Sequence, residues 1–209
     1  MSSLNEGLAA LQRGDLEAAR SLLAQAVTEA PLDEKAYEGL AEALHQQGHL
    51  EAALRLVETA TTMLPKAMFL HRKTIDYCQQ LEDLEGAERA AERFVMAFDD
   101  LAETWIILGD TRAKAGRVDQ ALRAYQHAHA RDEEDWRPWH RMGLVHEKKG
   151  DLRSACAAFN NAARIAPDNH RPLRALARCL KARGQDDEAR EAFSRAVNLA
   201  ELEAAVPSN

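Results

Sequence analysis

Apolar residues recur at helical spacing along the whole chain, in stripes broken at regular intervals. Around residue 116 the sequence reads AETWIILGDTRAKAG and then RVDQALRAYQHAHARD. That is one apolar stripe, a glycine able to end a helix in the left-handed conformation, and a second stripe, which together predict two helices joined by a tight turn. Gly14, Gly48, Gly116, Gly150 and Gly184 are spaced by 34, 68, 34 and 34 residues, and the vacant place in the series is taken by Glu82. Ala19, Ala53, Ala87, Ala121, Ala155 and Ala189 form a second series without a gap; Ala26, Ala60, Phe94, Ala128, Ala162 and Ala196 form a third. Six units in one frame without insertion predict an all-α array over residues 1–203, with repeats at about 1–33, 34–67, 68–101, 102–135, 136–169 and 170–203 and a short flexible tail at 204–209.

Within a unit, small residues such as Gly109, Ala121 and Ala128 let helices approach, while Trp105, Leu108 and Tyr125 fill the space between them. Pro31, Pro65 and Pro167 close second helices. The fourth unit carries Trp105, Leu108, Gly109, Ala121, Tyr125 and Ala128, and the fifth Trp139, Gly143, Ala155, Phe159, Ala162 and Pro167. On these residues the chain resembles the tetratricopeptide repeat proteins from about residue 2 to 201. Pentatricopeptide RNA binders have a period one residue longer, which six units without slippage exclude. The resemblance implies a right-handed superhelical solenoid whose first helices line a concave groove that holds extended or helical segments of other proteins. The third unit departs from the pattern, with His71, Ile75, Glu82, Phe94 and Asp99 at signature positions. Its Ala91 and Phe94 stand where its neighbours have a ring and a methyl, a swap that conserves volume.

Composition adds that the core is made of helix formers: 46% of the 209 residues are hydrophobic but only 5% aromatic. MSSLNEGLAALQRGD has no basic segment followed by a long apolar run, and no stretch approaches the roughly 18 apolar residues of a membrane span. A soluble, cytoplasmic protein with no membrane insertion is expected. Cys78, Cys156 and Cys179 are odd in number and far apart in sequence, so all three are expected to be reduced, buried thiols.

Charge locates the candidate site. The formal net charge is -7, yet the first-helix positions opposite the packed side hold Arg137, His140, Arg141, Leu144, Glu147 and Lys148 in the fifth unit and Arg171, Arg174, Ala175, Arg178, Lys181 and Ala182 in the sixth. Seven bases face one acid there. The same positions balance in the third and fourth units, through Arg72, Lys73 and Lys114 against Asp76, Glu103 and Asp110, and turn slightly acidic in the first two, with Lys35 against Glu38 and Glu42. A cationic wall on an acidic protein points to an acidic segment of a protein partner, taken up by bidentate arginine contacts. The family's carboxylate clamp for heat-shock chaperone tails is matched only at Arg137 and Arg141, since Arg72, Asp76 and Ile107 replace the asparagines.

Leu4, Leu8 and Leu11 share one face of the first helix, and either form an apolar contact patch or are buried by a roll of that helix. Ser3 and Glu6 are read as its capping box. ELEAAVPSN extends the last helix, leaving an apolar edge around Leu176, Leu180 and Phe193 that suggests homo-oligomerisation through an end face as an alternative role. Nucleic-acid binding is the remaining alternative, disfavoured by a pI near 5.6 and by the lack of aromatic side chains between the groove bases. No phosphate-loop, dinucleotide or nucleophile-elbow motif occurs, and none of the eight histidines has a cysteine or carboxylate at ligand spacing, so no catalytic residue, cofactor or metal is expected.

Overall fold

The computed structural model describes residues 2–205, with the side chains of residues 2–204. Among them are twelve α-helices and no strand. They form two compact units, the first running to Asp99 and the second starting at Asp100. The first unit holds α1 (Ser3–Gln12), α2 (Leu16–Glu29), α3 (Glu34–Gln46), α4 (Leu50–Met63), α5 (Met68–Gln80) and α6 (Leu84–Ala97). The second holds α7 (Ala102–Lys114), α8 (Val118–Arg131), α9 (Arg137–Lys148), α10 (Leu152–Ile165), α11 (His170–Ala182) and α12 (Asp186–Ala205). Each unit is thus three helix pairs in the predicted frame. Of the expected tail, residues 204 and 205 continue α12 and 206–209 lie outside the described residues.

Every first helix ends in the same way. The five series glycines have φ between +76° and +80°, and the residue after each turns its N–H back to a carbonyl five positions earlier, as Asp151 does to His146 at 3.0 Å. Glu82 adopts that conformation too, at φ +59°, and Asp83 N–H closes the same bond to Cys78 at 2.9 Å. A side chain held in the left-handed region costs about 1 kcal/mol. Replacing Glu82 by glycine is therefore expected to stabilise the first unit by about 1 kcal/mol, read as a higher urea midpoint by circular dichroism; an unchanged or lower midpoint would show that the Glu82 side chain compensates for its backbone.

Aspartates then start second helices, with Asp15, Asp83 and Asp151 accepting from the backbone N–H of Ala18, Gly86 and Ser154. At the amino end Ser2, not Ser3, caps α1 by accepting from Asn5 N–H. Ser3 is buried and gives its hydroxyl proton to the Glu29 carboxylate on α2 instead, so the N-cap lies one residue before the expected one and Ser3 and Glu6 do not form a capping box around it.

Close approach of the paired helices rests on glycine against ring. A Cβ on Gly109 would stand 2.4 Å from the Tyr125 ring, and one on Gly143 2.5 Å from that of Phe159, a ring with no solvent exposure. In the third repeat the bulk lies on the other helix: Ile75 occupies the glycine position, Ala91 the ring position, and both are buried. Phe94 fills the neighbouring alanine position and stacks on His71 at 5.0 Å, with Phe98 edge-on at 5.6 Å. Burial pushes the His71 imidazole below its ordinary pKa, and its Nε2 lies 2.9 Å from the Pro65 carbonyl oxygen.

The cysteine expectation is corrected. Cys156 on α10 and Cys179 on α11 are bonded, with Cα atoms 5.6 Å apart, and only Cys78 remains a free thiol. Distance in sequence misleads in a repeat array, because a second helix packs on the next first helix and residues 23 positions apart meet. Cys78 is buried, which raises its thiol to about 11 and leaves it unreactive at neutral pH.

Candidate interaction site

The candidate cations sit on α9 and α11, neighbouring first helices of the second unit. Leu144 of α9 packs against the core cluster that contains Ala175, Leu176 and Cys179 of α11. The helices are further tied by Arg178, whose Nε and Nη2 donate to the two Glu147 oxygens at 2.9 and 2.7 Å. This fork-to-fork pair holds the Arg178 guanidinium above its ordinary pKa.

Two other predicted cations are engaged. Arg137 is the first residue of α9, and both its backbone N–H, at 2.8 Å, and its guanidinium donate to Asp135, a carboxylate only 8% exposed. Arg137 is therefore the counter-ion of a buried acid that starts a helix. Arg141 has its Nε 3.0 Å from Asp110 Oδ1, off the line of the N–H, so the contact is an ion pair and not a hydrogen bond; the same oxygen accepts from Tyr125 at 2.8 Å. A common spacing underlies these links. Glu147–Arg178, Asp110–Arg141 and, in the first unit, Glu42–Lys73 at 3.6 Å are each 31 residues apart, which is where successive first helices meet one turn out of the 34-residue frame.

His140 also proves to be no cation. It is half-buried between the Trp136 and Phe159 rings, each 5.4 Å away, and burial, then the charges of Arg141, Arg178 and Arg171, push it down to about 4. Because the folded value lies below the ordinary 6.5, stability is fully present above pH 6.5 and declines as the pH falls toward 4, where the unfolded chain takes up a proton that the folded chain refuses. The loss is at most about 1.4 kcal/mol per pH unit, and less for an imidazole partly screened by solvent. Urea midpoints at pH 7.5 and 5.0 should accordingly differ more for the wild type than for His140→Gln; equal differences would remove His140 as the cause.

What remains is Lys148, Arg171, Arg174 and Lys181, all exposed and none within ion-pair distance of an acid among the described residues. The excess of positive charge is thus four side chains, three of them on α11. The sequence missed the capture of Arg137 by Asp135, two residues before it, and of Arg178 by Glu147; the 31-residue spacing was the signal for the latter.

In the first unit Leu4, Leu8 and Leu11 are half-buried and pack with the Leu23, Leu40 and Ala43 cluster. Leu8 reaches α3, lying 3.0 Å from where a Cβ on Gly39 would stand. The stripe is thus partly covered by its neighbours and partly open. Several histidines are used in packing: His127 stacks on Trp105 at 4.5 Å, and His129 meets the edge of Trp139 at 5.3 Å. Among the described residues no group of three His, Cys, Asp or Glu side chains could hold a metal ion, and no helix is long and apolar enough to cross a membrane.

Tetratricopeptide repeat family models match residues 4–67, 104–135 and 146–206, leaving the third repeat outside all three. No curated protein matches the chain. Among solved structures it resembles MamA, with 21% identity, 80% of this chain and 98% of that one covered and a TM-score of 0.65. It also resembles YrrB, described as a TPR protein with an unusual peptide-binding site, at 19% identity, 85% and 91% coverage and a TM-score of 0.57. A tetratricopeptide repeat protein from Parabacteroides merdae ATCC 43184 is 16% identical, with 94% and 78% covered and a TM-score of 0.69. At these identities the likeness is one of fold.

Proposed function

The chain belongs to the tetratricopeptide repeat family, and on that premise we propose that it is a non-enzymatic protein-interaction scaffold that binds an acidic segment of a partner on the first-helix face of α9 and α11. The observation that carries this reading is the asymmetry of pairing on that face. Every acid there is matched by a base, whereas Lys148, Arg171, Arg174 and Lys181 are left to solvent. Exposed like charges on one helix repel, and an anion laid across them relieves that repulsion. The MamA and YrrB folds, the second described as having a peptide-binding site, are consistent with a scaffold. A chaperone-tail clamp is not part of this reading, because Arg137 and Arg141, its two matching positions, are held by Asp135 and Asp110.

The test uses residues with no structural partner. A fluorescein-labelled hexaglutamate peptide should bind the wild type, and Arg171→Glu with Arg174→Glu should weaken binding at least tenfold while the helical circular dichroism is unchanged. Equal binding by the variant removes the site. Arg137→Glu is unsuited, since it would place a second acid beside buried Asp135 and cost several kcal/mol of stability. A single-stranded oligonucleotide that binds more tightly than the peptide, with a steep loss in salt, would replace this reading with nucleic-acid binding.

A further inference from the structure

We propose that the outer face of the α11–α12 pair is a second docking site, and that its occupant is an amphipathic helix of a partner protein carrying two adjacent acidic residues beside a face of small apolar ones. The face is a cleft of about 590 Å³ with Ala177, Ala189 and Phe193 at its base and Arg174, Lys181 and Arg190 around it. Phe193 is 54% exposed although its counterpart one repeat earlier, Phe159, is fully buried. Two things differ from the preceding repeat: Ala177 stands where Gly143 does, with a Cβ where the Phe159 ring needs room, and among the described residues no helix lies over Phe193 as α11 lies over Phe159. The exposed ring and half-exposed Val197, one turn on, leave an apolar stripe along α12.

The preceding repeat shows how such a face is covered. Each position of the cleft has an equivalent 34 residues earlier, and there α11 lies on it, with Ala175, Cys179 and Leu180 in one core cluster with Ala155, Cys156 and Phe159. Two contacts fix the register. Glu147, the equivalent of Lys181, pairs with Arg178, and Cys156, the equivalent of Arg190, is bonded to Cys179. Transposed by one repeat, a helix docked as α11 docks on α10 places two consecutive residues against Lys181 and Arg190. The first contact has inverted its charge, from Glu147 to Lys181, and the second has become cationic. Four bases line the cleft against the single acid Asp186. Of them Arg178 is engaged by Glu147, Arg190 makes a solvent-exposed i,i+3 pair with Asp187 of a kind worth little, and Arg174 and Lys181 have no acid partner among the described residues. A basic or purely apolar helix would leave these charges uncompensated at a buried edge, whereas adjacent acids satisfy them. A second copy fits poorly, because the first helices of this chain carry Leu8–Ala9, Glu42–Ala43, Asp76–Tyr77, Asp110–Thr111 and Leu144–Val145 at these two positions, never two acids.

The probe is a synthetic peptide of the α11 sequence, residues 170–182, in which Arg171, Arg174, Arg178 and Cys179 are replaced by glutamate; the control peptide has lysine at the same four positions. The isotope-labelled chain is titrated and read by NMR, which registers weak binding. The acidic peptide should shift the Ala189, Phe193 and Val197 signals and the lysine peptide should not, and Arg190→Glu with Phe193→Ser should weaken the response at least tenfold. Arg174 and Lys181 border both sites, so the separating variant is the uncharged change Phe193→Ser alone, which should weaken the peptide response and leave hexaglutamate binding unchanged; loss of both would mean that the two sites are one. The proposal is overturned if the acidic peptide leaves those signals in place, if both peptides shift them alike, if the response survives the double substitution, or if light scattering shows a dimer that Phe193→Ser dissociates, because the occupant would then be a second copy.

Discussion

Truncating Phe159 to alanine is expected to cost the second unit about 3–5 kcal/mol, the usual range for a fully buried ring, and placing isoleucine at Gly143 should cost about 2–3 kcal/mol by overpacking. Made together, the two changes should cost far less than their sum. The reason is already present in the chain: the third repeat carries Ile75 at the glycine position and Ala91 at the ring position, both buried. The ring of Phe159 occupies the space a Cβ on Gly143 would need, only 2.5 Å away, so each single variant leaves one side of the contact wrong while the double variant restores a pairing the fold uses. Isoleucine is a moderate helix former and glycine a poor one, so propensity adds nothing against the double change. A double-mutant cycle should therefore give a coupling of more than about 2 kcal/mol. Trp105, Trp136 and Trp139 all lie in the second unit, which makes their fluorescence in urea a reading of that unit alone. Additive losses would mean that the third repeat depends on its Phe94–His71 stack and not on the exchange of bulk.

The contrast between fold and site in what the sequence disclosed follows from the period. A residue's environment in such an array depends on its place in the 34-residue frame, so the alanine series could be read as core directly, and Ala19, Ala53, Ala87, Ala121 and Ala155 are all buried. Even Glu82 was legible as a helix stop because the frame demanded one, and it takes the left-handed backbone that glycine takes elsewhere. The charge state of the site was less legible, because it is set by pairs between repeats. Counting bases on α9 and α11 gave seven against one, but the partners of Arg137 and Arg141 lie on the preceding loop and on α7. Spacings of 31 residues between first helices and 23 between a second helix and the next first helix generate these contacts. Both are visible in the chain once the frame is known, the second also in the shared clusters of Leu54 with Tyr77 and Leu122 with Val145. His140 was illegible for a different reason: its burial between two rings, and hence its neutrality, depends on the rotamers of Trp136 and Phe159.

Reducing the Cys156–Cys179 bond, or replacing both residues by alanine, is expected to lower the stability of the second unit by about 3 kcal/mol, the chain-entropy value for a loop of some two dozen residues; the cysteines are 23 positions apart. Reduction orphans no polar group, because the Cys179 sulfur has the Leu152 carbonyl oxygen 3.3 Å away as an acceptor, so the loss is one of constraint. It should appear as a lower urea midpoint in tryptophan fluorescence on adding reductant, with no such change in the alanine pair. Alkylation in urea without reductant should label one thiol, that of Cys78, and three after reduction; three labelled thiols without reductant would show that the bond is absent. The bond fastens α11, which carries Arg171, Arg174 and Lys181, to the second helix of the repeat before it. Loosening it leaves the Arg178–Glu147 pair and apolar packing to hold the two first helices in register. Hexaglutamate affinity should then fall on reduction well below the denaturation midpoint, because the four free cations act together only while α9 and α11 stay side by side. An affinity indifferent to reduction would show that packing alone fixes that spacing and that the bond serves stability only.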